Sequence, residues 1–477
     1  MMWNRRKKVL VLALALGLTY GISLCAAAGA TGDFPPATMG SQGMPQGGEF
    51  PPPPPPGGPG NGMQEGKDVN DLAAACTIDG DDRELAGLSL TAEKSDESTV
   101  LVRNGGGLML TKGTLSKTGD SSSADASNFT GQNAIILVNN STAVLKDLEL
   151  FSDADGANAV FSTGENSHIT VENTKIHTKN NSSRGLDATY GGSIVATDVE
   201  ITTEGAHCGA LATDRGEGTV MVTRSLLRTS GEGSPCIYST GTITLTDSQG
   251  EATGSEIAVV EGKNSIALRN VALTGHQKHG IMLYQSFSGD AGIGEASFSA
   301  VDSTLTNHSA GPMFYVTNTK ATAALENTRL VQDGDVLIQV TSDHWGNTGS
   351  NGGDFTFYGK KQKLSGDVLA NAISKVFLHL TNQSEWRGSI NKDKAAGFAS
   401  VHLSKDSTWT LTADSYVTDL TDEDSTFGNI KSNGHTIYYD SQKDKTLNGK
   451  TIPLPDGGKI TPISTSLPDR ICSTPYD

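Results

Sequence analysis

Two glycine-rich stretches, residues 285–296 and 342–354, hold the side chains best suited to chemistry in this chain of 477 residues. The carboxylates and rings in and beside them are Tyr284, Asp290, Glu295, Asp343, Trp345 and Asp354. Because carboxylate oxygens on loops are typical Ca²⁺ ligands, Asp290, Asp343 and Asp354 are predicted to bind calcium. Aromatic rings beside carboxylates also suit a sugar, which predicts a glycan site here. The alternative is two flexible glycine-rich loops without a ligand.

Two other pairs of residues could form a disulfide or bind a metal ion. Cys208 and Cys236 are separated by about one structural repeat, so they are predicted to be able to form a disulfide in an exported protein. His276 and His279 lie close together, but the neighbouring sequence offers no further zinc ligand. We therefore interpret the two histidines as exposed turn residues.

The chain is acidic, with a formal net charge of −17. Such a surface repels nucleic acid and anionic membranes, so partners of these classes are not expected. The first residues combine a basic start, an apolar run and small residues, which is typical of a secretory signal peptide; a retained membrane anchor is the alternative. No later stretch is long and apolar enough to span a bilayer, so we expect an extracellular or cell-surface location.

The elements that position these residues follow from a repeat. A template of apolar, x, apolar, x, Asp or Asn, x, x, apolar recurs about every 25 residues. Its Asp or Asn position falls at Asp147, Asn173, Asp198, Asp247, Asn270, Asp302 and Asn327, with Arg224 in the remaining slot. Alternation before this position indicates a strand, and Asp or Asn suits a bend because it tolerates a left-handed backbone. The repeat therefore predicts a solenoid of stacked, parallel-paired coils.

Stacking predicts which side chains point inward. The apolar residues expected in one inner column are Ile169, Ile194, Val220, Ile243 and Ile266. On sheet 1, the face formed by the first strand of each coil, an apolar outer stripe is predicted that would be an interface or be covered by the chain's own terminal segments. Its members are Leu211, Tyr238, Val259, Met282 and Phe314, with Asp187 beside them. If the assignment of inward- and outward-pointing residues is shifted by one position, Asp187 points inward and is buried instead.

The predicted organisation has five parts. They are a signal peptide over residues 1–28, a disordered Pro/Gly-rich linker over 29–70, a β-helix over 71–395, final coils and a carboxyl-terminal cap over 396–465, and a tail over 466–477. The linker contains six consecutive prolines and hardly a large apolar residue, so it cannot offset its ordering entropy by burial.

The segments LDATYGG, ALATDRGEG, GSPCIYSTG, MLYQSFSGDAG and GPMFYVTNT resemble those of secreted bacterial β-helix proteins. The repeat as a whole is similar to the pectin-lyase-like superfamily, and STWTLTADSYVTDL resembles the last coils of autotransporter passengers, although no membrane barrel is expected to follow. The resemblance implies an all-β, right-handed parallel β-helix. It also implies comparison with polysaccharide lyases and glycosidases, for which Asp214, Arg215, Glu217 and Glu261 are the nearest catalytic candidates. Solvated turn residues are the alternative interpretation of these four.

The sequence thus favours an exported, adhesin-like protein that binds extracellular polysaccharide, or another host or cell-surface component, along a rigid face. One alternative is a lyase or hydrolase of acidic glycans, although an anionic substrate favours basic subsites and the central coils offer few. A second alternative is a structural assembly protein that uses the apolar stripe. We expect binding rather than catalysis.

Overall fold

The computed structural model describes residues 68–463, which form one parallel β-solenoid of about 16 turns with coils of about 25 residues. The predicted all-β solenoid is therefore confirmed. The predicted signal peptide, all but three residues of the predicted linker, and the predicted tail lie outside the described residues.

Three ladders of strands run along the solenoid. Sheet 1 contains Ala73–Asp79, Glu97–Arg103, Ile136–Asn139, Val160–Thr163, Leu186–Thr189, Leu211–Thr213, Ile237–Ser239, Ala258–Glu261, Ile281–Tyr284, Phe314–Thr317, Val336–Thr341 and Asp367–Ala370. Sheet 2 has a first run of Asp82–Ala86, Gly107–Lys117, Thr142–Ser152, His168–Glu172, Ser193–Thr197, Thr219–Thr223, Thr242–Thr246, Ser265–Arg269, Glu295–Val301, Lys320–Glu326, Asp354–Lys360, Lys375–Thr381, Phe398–Leu403 and Asp419–Asp422. Its second run contains Ser89–Ala92, Lys175–Thr178, Glu200–Thr203, Leu226–Thr229, Gln249–Ala252, Ala272–Gly275, Thr304–Asn307 and Arg329–Gln332.

Two small sheets and two short helices complete the described chain. Sheet 3 contains Lys363–Ser365, Glu385–Arg387, Thr408–Thr410 and Ile430–Lys431, and sheet 4 contains Ser415–Val417, Thr436–Tyr439, Ile452–Pro453 and Lys459–Pro462. A 3₁₀ turn spans Val69–Asp71, and an α-helix spans Ala124–Thr130. The Ser123 hydroxyl accepts a hydrogen bond from the backbone N–H of Ala126 at 3.1 Å, which caps the α-helix.

The bend between the two runs of sheet 2 lies where the repeat predicted it. Asn173 has φ 45°, Asp198 φ 56° and Arg224 φ 51°, and the other positions of this ladder have similar values. Asp and Asn adopt this left-handed backbone more readily than most residues because their short side chains bond locally. The prediction that these Asp and Asn positions form the bends of the coils is confirmed.

The inner column is also confirmed. Ile194 pairs with Ile169 on one side and with Val220 on the other, and all three side chains are buried. Ile243 and Ile266 continue the column. Parallel pairing of identical positions thus stacks apolar side chains into one core along the solenoid.

The predicted outer stripe is wrong at two positions. Leu211 pairs with Leu186 and Ile237, and Phe314 pairs with Ile281, so both point into the core. We use the name outer row for the neighbouring positions of sheet 1, which are Leu101, Leu137, Phe161, Asp187, Ala212, Tyr238, Val259, Met282 and Tyr315.

The outer row is covered by the chain itself at its amino-terminal end. Leu101, Leu137 and Phe161 form a second small core with Leu72, against which Val69 packs. Further along the row, Asp187 is fully buried, whereas Tyr238 and Met282 are half-buried. The row is therefore not a continuous apolar stripe on the surface.

The predicted disulfide is also wrong, because Cys208 and Cys236 occupy different columns and both are free thiols. Cys208 lies between Ser183 and Ser234: its sulfur accepts the backbone N–H of Ser183 at 3.0 Å, and its own backbone N–H donates to the Ser234 hydroxyl at 2.9 Å. The thiol thus takes the place that serine hydroxyls hold in adjacent coils. Cys236 lies in the central core.

We expect these two thiols to be unreactive in the native protein. Burial raises the pKa of both Cys208 and Cys236 to about 12, so neither supplies thiolate at pH 8. Alkylation with iodoacetamide followed by peptide mass spectrometry should leave both unmodified until the protein is denatured, whereas the half-buried Cys76 reacts sooner. A requirement for reductant before the denatured cysteines react would show that a bridge exists.

Candidate functional site

Polar and aromatic side chains gather on the outer row between Asp187 and Tyr315. They are held by six neighbouring strands of sheet 1, from Leu186–Thr189 to Phe314–Thr317, and by residues 285–294, which we call the strap. The strap leaves the strand Ile281–Tyr284 and turns back across the three preceding strands of the sheet. This arrangement brings together residues that are widely separated in sequence.

The most deeply buried part is a triad of Arg184, Asp187 and Asp214. One guanidinium nitrogen of Arg184 lies 3.0 Å from Asp187 Oδ2, and the other lies 2.9 Å from Asp214 Oδ2. Burial raises the pKa of Asp187, and it raises that of Asp214 well above its usual range, although Arg184 opposes the effect in both. One cation thus faces two buried carboxyl groups, which favours a proton on Asp214.

A salt bridge fixes the far end of the strap beside this triad. Arg215 Nη2 lies 2.6 Å from Asp290 Oδ1, and the two residues are 75 positions apart in sequence. The ring of Phe129 packs on the same guanidinium, with 3.9 Å between Arg215 Cζ and the ring centroid. The α-helix and the strap therefore meet across Arg215.

Glu261 is the centre of the part beneath the strap. Its Oε2 accepts hydrogen bonds from the hydroxyls of Tyr238 at 2.6 Å and Tyr284 at 2.8 Å, and its Oε1 accepts one from Ser286 in the strap. Burial and the nearby Glu261 carboxylate raise the pKa of both tyrosines well above the usual range. The two phenols therefore stay protonated and act as donors to Glu261.

Gly262 permits the close approach of the strap. Its φ is 66°, and a Cβ at this position would lie 2.4 Å from the carbonyl oxygen of Gly292. A side chain here would push the strap away from the sheet, so only glycine combines this backbone with this contact.

The carboxyl-terminal end of the cluster is more open and is rich in rings. Trp345 is half-buried and lies against Tyr284, with 5.3 Å between ring centroids. The imidazole of His279 stacks on Tyr315 at 4.0 Å with an interplanar angle of 2°. The Tyr315 hydroxyl donates to Asp343 Oδ2 at 2.7 Å. We call these five residues the open end.

Some of the site residues predicted from the sequence lie in this cluster, and the others form ion pairs outside it. Asp214, Arg215, Glu261, Tyr284, Asp290, Asp343 and Trp345 come together in the cluster. Glu217 pairs with Lys263 at 2.7 Å, Glu295 with Lys320 at 2.8 Å and Asp354 with Lys375 at 3.3 Å. The last two carboxylates begin strands of sheet 2, so they belong to a different face.

The three predicted calcium ligands do not converge. Asp290 is bonded to Arg215, Asp343 to Tyr315, and Asp354 to Lys375. Within residues 68–463, no group of three or more histidine, cysteine, aspartate or glutamate side chains is arranged to hold a metal ion. Calcium binding by the chain is not tested by this arrangement and stays a prediction.

Sequence reasoning missed Arg184, Ser286 and Tyr315 as parts of the cluster and placed His279 on an exposed turn. Tyr315 had a usable signal, because it occupies the same position of its strand as Met282. Arg184 had none, since it precedes its strand and its partner Asp214 follows the next one.

A separate groove of about 650 Å³ follows the bends of sheet 2. Its polar side chains are bonded to one another across coils: Asn173 donates to Asp147 at 2.6 Å, and Arg224 donates to Asp198 at 2.9 Å. These pairs satisfy the charges of the bends, so we interpret the groove as structural.

The Asp214→Asn substitution is expected to change how stability depends on pH. A carboxyl whose folded-state pKa is raised contributes stability below its unfolded pKa, and that contribution is lost as pH rises through the folded pKa. The asparagine variant lacks this loss, so its thermal midpoint should rise relative to wild type as pH increases from about 4 towards neutrality. Midpoints measured by circular dichroism across this range test the sign. A difference that does not vary with pH would contradict the raised pKa.

Comparison of the chain with models of known protein families gives no match. A search of curated proteins finds no significantly similar sequence. Among residues 68–463, no helix is long and apolar enough to cross a membrane.

Proposed function

We propose that the chain is an exported β-helix protein of the pectin-lyase-like type that binds an extracellular polysaccharide at the open end. The signal-like amino-terminal sequence supports export, and the repeat supports the superfamily. The observation that carries the binding proposal is the convergence of Trp345, Tyr284 and Tyr315 with Asp343 at one place on the outer row.

This combination suits a sugar for a physical reason. A pyranose offers an apolar C–H face, which packs on an aromatic ring, and a rim of hydroxyls, which donate to carboxylates. Trp345 is half-buried, so part of its ring is accessible, and the Asp343 side chain retains 33% of its surface. Tyr284 and Tyr315 lie on strands of the solenoid, so these two rings are positioned before binding, whereas Asp343 and Trp345 lie in the loop between the strands Val336–Thr341 and Asp354–Lys360.

A glycan array probed with the full-length protein tests the proposal, with reducing-sugar release followed on every hit. Binding without release is the expected result. No binding to any glycan would contradict it.

The Trp345→Ala variant should weaken binding to the best glycan by at least about tenfold, because truncating a central aromatic contact commonly has such an effect. The matched control is Tyr358→Ala, since Tyr358 is an aromatic residue 47% exposed on sheet 2. Equal affinities for wild type and Trp345→Ala would place the binding site elsewhere.

A second candidate function is hydrolysis or lysis of a glycan, and the buried triad favours it. Asp214 has the raised pKa of a general acid, and a charged group stands next to it. We rank this candidate second because Asp214 is only 3% exposed and lies in a closed network with Arg184. Product release from an array hit, abolished by Asp214→Asn, would reverse the order.

A further inference from the structure

We infer that two copies of the chain associate face to face through the first run of sheet 2, with their solenoid axes antiparallel. The inference does not depend on the proposed function, because the open end lies on sheet 1. It follows from one row of outward-pointing residues on the first run, which we call the neutral row, and from the rows on either side of it.

The neutral row has no aspartate, glutamate, lysine or arginine on thirteen consecutive strands. Its residues, each exposed or half-buried, are Met109, Val144, Thr170, Val195, Met221, Thr244, Ala267, Ser299, Ala324, Tyr358, His379, His402 and Thr421. Among residues 68–463, eight large apolar or aromatic side chains are exposed, and five of them lie in this row. Such concentration in one row marks a contact surface.

Strand propensity alone does not explain this composition. Valine and threonine are common on strands, but exposed methionines such as Met109 and Met221 are not favoured there. The second run of sheet 2 shows the alternative, because its outward positions include Lys175, Glu200 and Arg228, and Arg228 pairs with Glu200 at 2.6 Å. An acidic chain thus keeps charge on one run of the sheet and excludes it from the middle of the other.

The rows on either side of the neutral row are polar. One row consists of hydroxyl residues with His168 as the exception: Thr142, His168, Ser193, Thr219, Thr242, Ser265, Ser297, Thr322 and Thr356. In the other row, Lys146 pairs with Glu172 at 3.2 Å and Lys360 with Glu326 at 2.9 Å. An apolar centre with a polar rim is the anatomy of a protein–protein interface.

The face is large enough for a stable dimer. From Met109 to Tyr358 it crosses ten strands, which gives a length of about 43 Å, and three outward positions per strand give a width of about 20 Å. Each copy would bury about 850 Å², compared with about 800 Å² per partner in an interface of standard size. The second copy is also the partner whose strand spacing matches this face along its whole length.

Side-chain volumes favour the antiparallel orientation. A two-fold axis between the strands of Met221 and Thr244 places large residues of one copy opposite small residues of the other. The facing positions are Val144 and Ala324, Thr170 and Ser299, Val195 and Ala267, and Met221 and Thr244, with Met109 opposite Tyr358. In a parallel orientation each residue would face its own copy, so Met221 would meet Met221 and Ala267 would meet Ala267. That arrangement combines steric overlap with voids.

Charges at the rim favour the same orientation. Lys146 is on the second of these ten strands and Glu326 is on the ninth, in the same row, so the two-fold axis brings Lys146 of one copy opposite Glu326 of the other. Each dimer contains this opposite-charge pair twice. Such pairs contribute mainly to the choice of orientation.

Sedimentation equilibrium of the full-length protein tests the inference, and a dimer is the expected state. Met221→Lys should raise the dissociation constant at least about tenfold, because association would bury an unpaired charge. Ala272→Lys is the matched control, since it adds the same charge at an exposed position of the second run and should leave the dimer intact. A wild-type protein that stays monomeric up to its solubility limit would overturn the inference, and so would equal disruption by both lysine variants.

Mixing two charge-reversal variants tests the orientation. Lys146→Glu and Glu326→Lys should each weaken self-association, because each homodimer then contains two like-charge contacts. An equimolar mixture should recover dimers, since the heterodimer has only opposite-charge contacts at these positions. Local damage to either fold would not be repaired by mixing. Dimers that both variants form as tightly as wild type, or single-variant losses without recovery in the mixture, would contradict the antiparallel pairing. Glycan binding at the open end is unaffected by either outcome.

Discussion

The Arg184→Ala substitution is expected to lower the free energy of unfolding by about 3–5 kcal/mol at neutral pH, because it leaves buried charge without a partner. Asp187 is fully buried and Asp214 is 3% exposed, so neither carboxylate can recover water contacts when the guanidinium is gone. Chemical denaturation followed by circular dichroism gives the measurement.

The loss should shrink as the pH falls. Without Arg184 the folded-state pKa values of both carboxyl groups rise further, so the variant recovers stability once they are protonated in acid. Arg224→Ala is the matched control, because its ion pair with Asp198 is exposed to solvent, and we expect no measurable change from it. A small and pH-independent loss for Arg184→Ala would show that the triad is not buried as described.

The Trp409→Ala substitution is expected to cost about 3–5 kcal/mol of stability through cavity formation in the last coils. Trp409 is fully buried and stacks on Trp386, with 4.8 Å between centroids and 12° between planes. Its indole N–H donates to the carbonyl oxygen of Gly388 at 3.0 Å, so the substitution also leaves an acceptor unpaired.

Tyr358→Ala provides the control for this second substitution as well, because an exposed ring on sheet 2 contributes little to the core. Tryptophan fluorescence reports the local effect, since loss of Trp409 exposes Trp386. Unfolding of the Trp409→Ala variant at the wild-type midpoint would contradict the packing described for sheet 3.

The period, the bends and the inner columns could be predicted because each depends on residues close together in sequence. Asn173 marks its bend through its own side chain, and Ile169 marks the inner column through alternation within one strand. A further sequence pattern marks the core residues of sheet 1. A threonine whose hydroxyl donates to a backbone carbonyl in the following turn precedes each of them at the same spacing: Thr178 precedes Leu186, Thr203 precedes Leu211, and Thr229 precedes Ile237. Alignment on those threonines would have placed Leu211 in the core.

The cluster itself could be predicted only in part. Glu261 was found through the comparison with polysaccharide lyases and glycosidases, and Tyr284 and Trp345 were found because they lie beside or within the glycine-rich stretches. The contact between Arg215 and Asp290 could not be found, since it depends on the path of the strap across three strands. The choice of Glu295 and Asp354 failed for a related reason: both follow long loops in sequence but are the first residues of strands in sheet 2.

The central claim is that the open end of the outer row is where a saccharide binds. A crystal structure of the protein with the oligosaccharide that binds most strongly on the array tests it most directly. We predict a sugar ring stacked on Trp345, with a polar group of the sugar within hydrogen-bond distance of Asp343. Saccharide bound on the outer face of sheet 2, with Trp345 and Asp343 free of contacts, would contradict the account.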